Sequence, residues 1–188
     1  MEEERATWVG YATVLPRSSV IEDFDQLITA QIPHLRRYAF ALMGDRDRAD
    51  DLVQDCLERA WSRAHLWRQG NLRGWLFTIM HNVSVNSRRR DYRAPPLTSL
   101  DKPGLEPSTR ATQEDHLSIA ALRDAVDSLP REQAEVILLV GLEEFSYAET
   151  ADVLGVPMGT VMSRLHRGRE RLRQLLTNQG GASLRRVK

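Results

Sequence analysis

A single cysteine, Cys56, is all that the sequence contains, which excludes an internal disulfide framework and a cysteine-rich zinc site. Metal-ligand spacing is missing too. The histidines His34, His65, His81, His116 and His166 are scattered, there is no P-loop and no H-E-x-x-H, and Cys56 falls on a stripe expected to be buried, so the chain is not expected to be an enzyme or to hold a metal or other cofactor. Net charge is also absent: 26 Lys and Arg balance 26 Asp and Glu, which argues against indiscriminate binding to nucleic acid. No apolar run is long enough to span a bilayer, and the acidic start does not resemble a signal peptide, so a cytoplasmic protein is expected.

What the sequence does have is length for one large or two small domains, 188 residues of which 41% are apolar, the composition of a globular chain. Its charge is unevenly placed. Residues 1–25 hold Glu2, Glu3, Glu4, Glu22, Asp23 and Asp25 against Arg5 and Arg17, whereas Arg88, Arg89, Arg90 and Arg93 cluster around Asp91 alone. Such local patches carry more information than the total.

Periodicity is helical throughout. Residues 1–19 show no sustained period and read as an extension. From Ile21, the positions Phe24, Leu27, Ile28, Ile32, Leu35, Tyr38, Ala39 and Leu42 form an amphipathic pattern, with Pro33 placed to kink or divide it and Gly44 to end it. Asp45 and Asp47 offer caps for a helix whose stripe is Leu52, Val53, Cys56, Leu57, Ala60 and Trp61. Its other face, Asp51, Gln54, Asp55 and Glu58, is either a solvated surface or a docking surface for a basic partner.

In residues 71–93, Leu72, Trp75, Leu76, Ile79, Met80 and Val83 supply a core stripe, followed by His81, Asn82, Asn86 and the run Arg88, Arg89, Arg90. Amides and aromatics hold unstacked bases and guanidinium groups track a separated strand, although Trp75 at this spacing also suits a core. Residues 94–108 contain four prolines and no helical period, the signature of a linker. Beyond it, a helix over residues 112–128 turns Leu117, Ala120, Ala121, Ala125 and Val126 inward. Pro130 starts another over 131–142, whose apolar positions 136–140 imply burial all round. The expected fold class is therefore all-α, two small helical domains on a flexible tether.

The stretch FSYAETADVLGVPMGTVMSRLHRGRERLRQLL, residues 145–176, predicts a helix-turn-helix. Ser146 and Glu149 make an S-x-x-E capping box, Ala151 is small where helices cross, and Gly155 suits the left-handed turn. Pro157 precedes a second helix with the buried stripe Val161, Leu165, Leu172 and Leu176. Its other face carries Thr160, Ser163, Arg164, Arg167, Arg169, Arg171 and Arg173, chemistry suited to base edges and phosphates of duplex DNA. After Leu176 a Gly-rich, basic tail is expected to be disordered.

DDLVQDCLERAW at 50–61, GWLFTIMHNVSVNSRRR at 74–90, the proline-rich tether, LPREQAEVILLV at 129–140 and the helix-turn-helix together, in this order, resemble the extracytoplasmic-function group of bacterial RNA polymerase sigma factors. The resemblance runs from about Phe24 to Leu176. It implies that residues 20–93 are sigma region 2 and residues 112–177 sigma region 4, with residues 94–111 between them and a basic tail at 178–188.

On that resemblance Asp51, Gln54, Asp55 and Glu58 face core RNA polymerase (its beta-prime and beta subunits). Trp75, Asn82, Asn86, Arg88, Arg89 and Arg90 contact the separated minus-10 strand. Gly159, Thr160, Met162, Ser163, Arg164, His166, Arg167 and Arg171 read the minus-35 duplex. Met162 stands where many members carry a polar or basic residue, which suits an apolar contact such as a thymine methyl. A monomeric chain held by an anti-sigma factor is further implied. The alternative, a stand-alone helix-turn-helix regulator, leaves the acidic face and the 71–93 segment without purpose.

Overall fold

The computed structural model describes residues 17–67, 70–91 and 113–184, and among them every regular element is helical. The expected linker and most of the expected extension lie outside the described residues, as do the side chains of Arg89 and Arg90.

Helix α1 (Arg17–Met43) buries Phe24, Ile28, Leu35, Tyr38, Ala39 and Leu42 on one side. Pro33 is exposed and the helix continues through it rather than dividing. The helix is under way by Arg17, ahead of its apolar period, since helix ends follow backbone hydrogen bonding and not burial. Gly44 then turns the chain with φ 69°, a region costly for other residues, and Asp45 caps α2 (Arg46–Ser62) by accepting the Arg48 amide at 2.8 Å. Ala49, Leu52, Val53, Cys56 and Ala60 form the buried side of α2. Trp61, expected on that stripe, is instead 46% exposed, its indole N–H donating to Asp25 at 2.8 Å; one residue past Ala60 the helix has already rotated it off the core.

After a 3₁₀ turn (Ala64–Leu66), α3 (Leu72–Asp91) starts where the Asn71 side chain accepts the Gly74 amide at 2.9 Å. Leu72, Leu76, Phe77, Ile79, Met80 and Val83 face inward. The Cys56 thiol points at the Leu76 carbonyl, 3.5 Å away, and burial pushes its pKa up to about 12. It is a packed, unreactive thiol.

The second unit comprises α4 (Gln113–Asp127), α5 (Arg131–Ile137), a π-helical turn (Leu138–Leu142), α6 (Tyr147–Leu154) and α7 (Met158–Leu184). On α4, Ala125 is buried, but Ala120, expected inside, is exposed. An α-helix through Leu142 is predicted; its last five residues instead wind wider, the Glu143 amide bonding back to Leu138 at 3.0 Å. Gly168 lets α7 lie against α5, since a Cβ there would lie 2.6 Å from Ile137 Cδ1. Contrary to the disordered tail expected after Leu176, α7 continues to Leu184, the Thr177 hydroxyl donating to the Arg173 carbonyl at 2.7 Å as the ladder runs on.

The two units are docked. The π turn packs on α1 and α6 packs on α3. Tyr38 meets Phe77 edge-on at 5.2 Å between centroids, and Phe77 meets Phe145 of the second unit at 5.0 Å, so one ring stack crosses the boundary.

Candidate nucleic-acid interface

Both turns of the helix-turn-helix follow from the sequence around them. Ser146 Oγ accepts the Glu149 amide at 3.2 Å while the Glu149 carboxylate accepts the Ser146 amide at 2.9 Å. The Ser146 hydroxyl and then its amide hold the Glu149 carboxyl below the ordinary carboxylate range. Gly155 ends α6 with φ 63° and ψ 36°, and the Val156 amide bonds back to Ala151 at 3.1 Å. Val161 and Leu165 then anchor α7 in the core. Leu172 and Leu176 are half-buried further along.

That anchoring decides which side chains remain available. Gly159, Met162, Ser163, His166, Arg167 and Arg171 are exposed, and Thr160 is half-buried. Met158 and Met162, one turn apart, are 49% and 44% exposed, methyl-tipped groups beside hydroxyl and guanidinium donors. Arg167 reaches back to the Ser163 carbonyl at 3.2 Å, leaving its other nitrogens to solvent. Arg164 differs: its side chain is only 18% exposed and pairs with Glu132 of α5 at 2.6 Å, so it braces the turn at least as much as it faces outward.

On α3, Asn82 and Asn86 are exposed on successive turns. Trp75 is half-buried against Phe24, 6.3 Å between centroids, at the edge of the core. Arg88 lies 3.6 Å from Glu135 of the second unit. On α2, Asp51, Gln54 and Glu58 are exposed and Asp55 is half-buried; the Gln54 amide donates to Glu58 at 3.1 Å. Asp51 and Asp55 are like charges one turn apart, an arrangement that costs a helix about 0.2–0.5 kcal/mol and leaves a field suited to a basic partner.

Sequence reading passed over two carboxylates between the units. Glu143, with 0% exposure, accepts from Arg37 Nε at 2.9 Å and Arg73 Nη2 at 2.9 Å and stands 3.1 Å from His34 Nδ1. Arg73 also stacks over the Phe145 ring, 4.6 Å from its centroid. Glu135, 3% exposed, pairs with Arg131 at 3.0 Å, Arg88 at 3.6 Å and His81 at 3.5 Å. Returning the grip, Arg131 donates to the Leu42 carbonyl at 2.9 Å and Arg123 to the Gly44 carbonyl, meeting the free carbonyls at the end of α1. A signal existed for Glu135, a carboxylate inside an apolar run; Glu143, beside a turn, looks like any solvated charge. Burial lowers the His81 pKa and outweighs the opposing Glu135 carboxylate, and Arg88, Arg131 and Arg164 push the same way as burial.

Among the described residues no group of three or more His, Cys, Asp or Glu is placed to hold a metal ion, and no helix is long and apolar enough to cross a membrane.

Residues 28–81 match the family "Sigma2 domain of PhyR" and residues 119–172 match "Sigma-70, region 4". The chain is 40% identical over 157 residues to the ECF RNA polymerase sigma factor EcfG of Rhodopseudomonas palustris, covering 81% of this chain and 84% of that one. It is 35% identical over 149 residues to SigL of Mycobacterium tuberculosis, covering 78% and 84%. In three dimensions it resembles the sigma factor RpoE in complex with the anti-sigma factor NepR from Bartonella quintana, with a TM-score of 0.71, 32% identity, and coverage of 83% and 98%.

Proposed function

This chain belongs to the extracytoplasmic-function sigma factors of RNA polymerase, and from that premise we propose how its own residues recruit the polymerase and find a promoter. The observation that carries the reading is the pairing, in one chain, of an acidic face on α2 with a helix-turn-helix whose guanidinium groups reach solvent. A stand-alone DNA-binding regulator has use for the second feature only.

In this reading Asp51, Gln54, Asp55 and Glu58 dock on the core enzyme. Asn82, Asn86 and the arginines at 88–90 contact the separated minus-10 strand, with Trp75 bordering them. The exposed face of α7 from Gly159 to Arg171 enters the minus-35 major groove, where Met162 suits a thymine methyl and Arg167 a guanine edge or phosphate. Residues 20–93 and 112–177 act as the two binding domains and 94–111 as their tether; the matched spans 28–81 and 119–172 fall inside those limits. The chain works by binding, in the cytoplasm, without a cofactor. Neither domain needs high affinity alone, because riding on one polymerase makes the second contact intramolecular. Strand separation costs roughly a few kcal/mol per unstacked base, which binding to α3 offsets. The Bartonella quintana relative is held by an anti-sigma factor, and a comparable inhibitory partner for this chain follows from that kinship.

Copurification with core RNA polymerase tests the docking face. Wild type is expected to be retained, and Asp51→Lys with Asp55→Lys to lose retention at least tenfold while its circular dichroism stays that of the wild type. Full retention by the charge-reversed chain would remove α2 from the interface.

A further inference from the structure

The boundary between the units has an ionic design that neither the fold nor the promoter reading accounts for. Two carboxylates of the second unit, Glu143 and Glu135, are buried, and most of the basic side chains around them belong to the first unit: the Arg37 and Arg73 guanidinium groups and the His34 imidazole about Glu143, the Arg88 guanidinium and the His81 imidazole about Glu135. Apart from His81, at 18% exposure, these side chains are not themselves sealed in. Arg37 is 48% exposed, His34 41%, Arg88 35% and Arg73 32%. Ion pairs at such a boundary hold geometry more than they add stability, and both partners rehydrate when it opens. A cavity of about 530 Å³ also runs along the seam, lined from both sides by Met43, Arg48, Arg88, Asp127 and Arg131 among others, so packing there is incomplete.

Length makes the docked form incompatible with reading two promoter elements. Elements at minus-10 and minus-35 lie ~25 base pairs apart, roughly 85 Å of duplex at about 3.4 Å per pair. A compact chain of this size has a radius of gyration of about 16 Å, so it is roughly 40 Å across. The 21 residues between Asp91 and Gln113 can reach at most about 75 Å, enough for the units to part.

We propose that the docked arrangement is a self-inhibited state in which Glu135 and Glu143 act as acidic latches, Glu135 occupying Arg88 in place of a DNA phosphate. The proposal rests on the reading of α3 as the strand-contacting segment. Closure engages Arg88 of that segment while Asn82 and Asn86 stay exposed, and it leaves Met162, Ser163 and Arg167 of the recognition helix exposed. It therefore restrains strand capture and the span between elements, not duplex contact by α7 alone. Any partner that binds the open form is opposed in proportion to how rarely the latch opens.

The test uses the full chain in two variants that attack the boundary from opposite sides: Glu135→Gln with Glu143→Gln, and Arg37→Gln with Arg73→Gln. Circular dichroism and thermal unfolding check that each still folds. Solution X-ray scattering is expected to show a larger radius of gyration than wild type in both. Anisotropy titration with a fluorescein-labelled single-stranded deoxyoligonucleotide is expected to show tighter binding, about tenfold if the wild-type latch is open a tenth of the time. An unchanged radius in both variants overturns the latch. An increased radius without tighter strand binding overturns the inhibition. Transcription with core polymerase is scored separately: its absence for wild type and variants alike counts against the promoter reading, while the scattering result continues to decide whether the carboxylates hold the units together.

Discussion

A carboxylate with no exposure persists only where cations or donors follow it out of water, and Glu143 shows how local that requirement is. Two guanidinium groups and an imidazole from 70 or more residues away in the chain converge on it. On the recognition helix the arginines divide by the same criterion. Arg167 projects into solvent, whereas Arg164 is largely covered and tied to Glu132. Arg167→Ala is therefore expected to weaken binding to a minus-35 duplex by about 1–3 kcal/mol with little change in thermal stability. Arg164→Ala is expected to lower stability as well as affinity. Duplex titration alongside thermal melts separates the two, and equal melting losses for both substitutions would contradict the division. The sequence showed both as members of one cationic face. Only the position of Glu132 on a neighbouring helix distinguishes them, and helical periodicity does not encode that.

At the scale of elements, the parts legible in advance are those whose determinants are local. The capping box at Ser146 and Glu149, the left-handed Gly155 and the buried Val161 and Leu165 each follow the one before within about two turns, so the helix-turn-helix could be read directly. The π turn over Leu138–Leu142 could not: the Glu143 amide bonds back to Leu138 and the Phe145 amide to Leu139 while both leucines are buried, and helical periodicity does not mark that wider winding. Trp61 was misplaced for a related reason, because an aromatic at the end of a helical stripe is inside or outside according to what crosses there, and here Asp25 draws it out. Two substitutions probe the helix-turn-helix. Ser146→Ala removes a cap and is expected to cost about 1 kcal/mol. Gly168→Val forces α7 away from Ile137 and Gln133 and is expected to cost about 1–3 kcal/mol or more. Denaturant unfolding measures both; a Gly168→Val chain as stable as wild type would mean that the α5 and α7 contact is looser than the structure has it.

At the scale of the molecule, the all-helical class and the two-unit division were legible from periodicity and from the proline-rich break at 94–108. The docking of the units was not, because its ion pairs join residues about 50 to 110 positions apart and no pattern in the chain marks them. The structure holds the docked arrangement; the proposed function requires a second one, in which the units part to match promoter spacing. The most direct measurement is run-off transcription with purified core RNA polymerase on genomic promoter templates. A discrete transcript that requires both the core enzyme and this chain, and that falls at least tenfold with Arg167→Ala, is the predicted result. A template set that yields no transcript attributable to the chain, or the same transcript with and without it, would contradict the account.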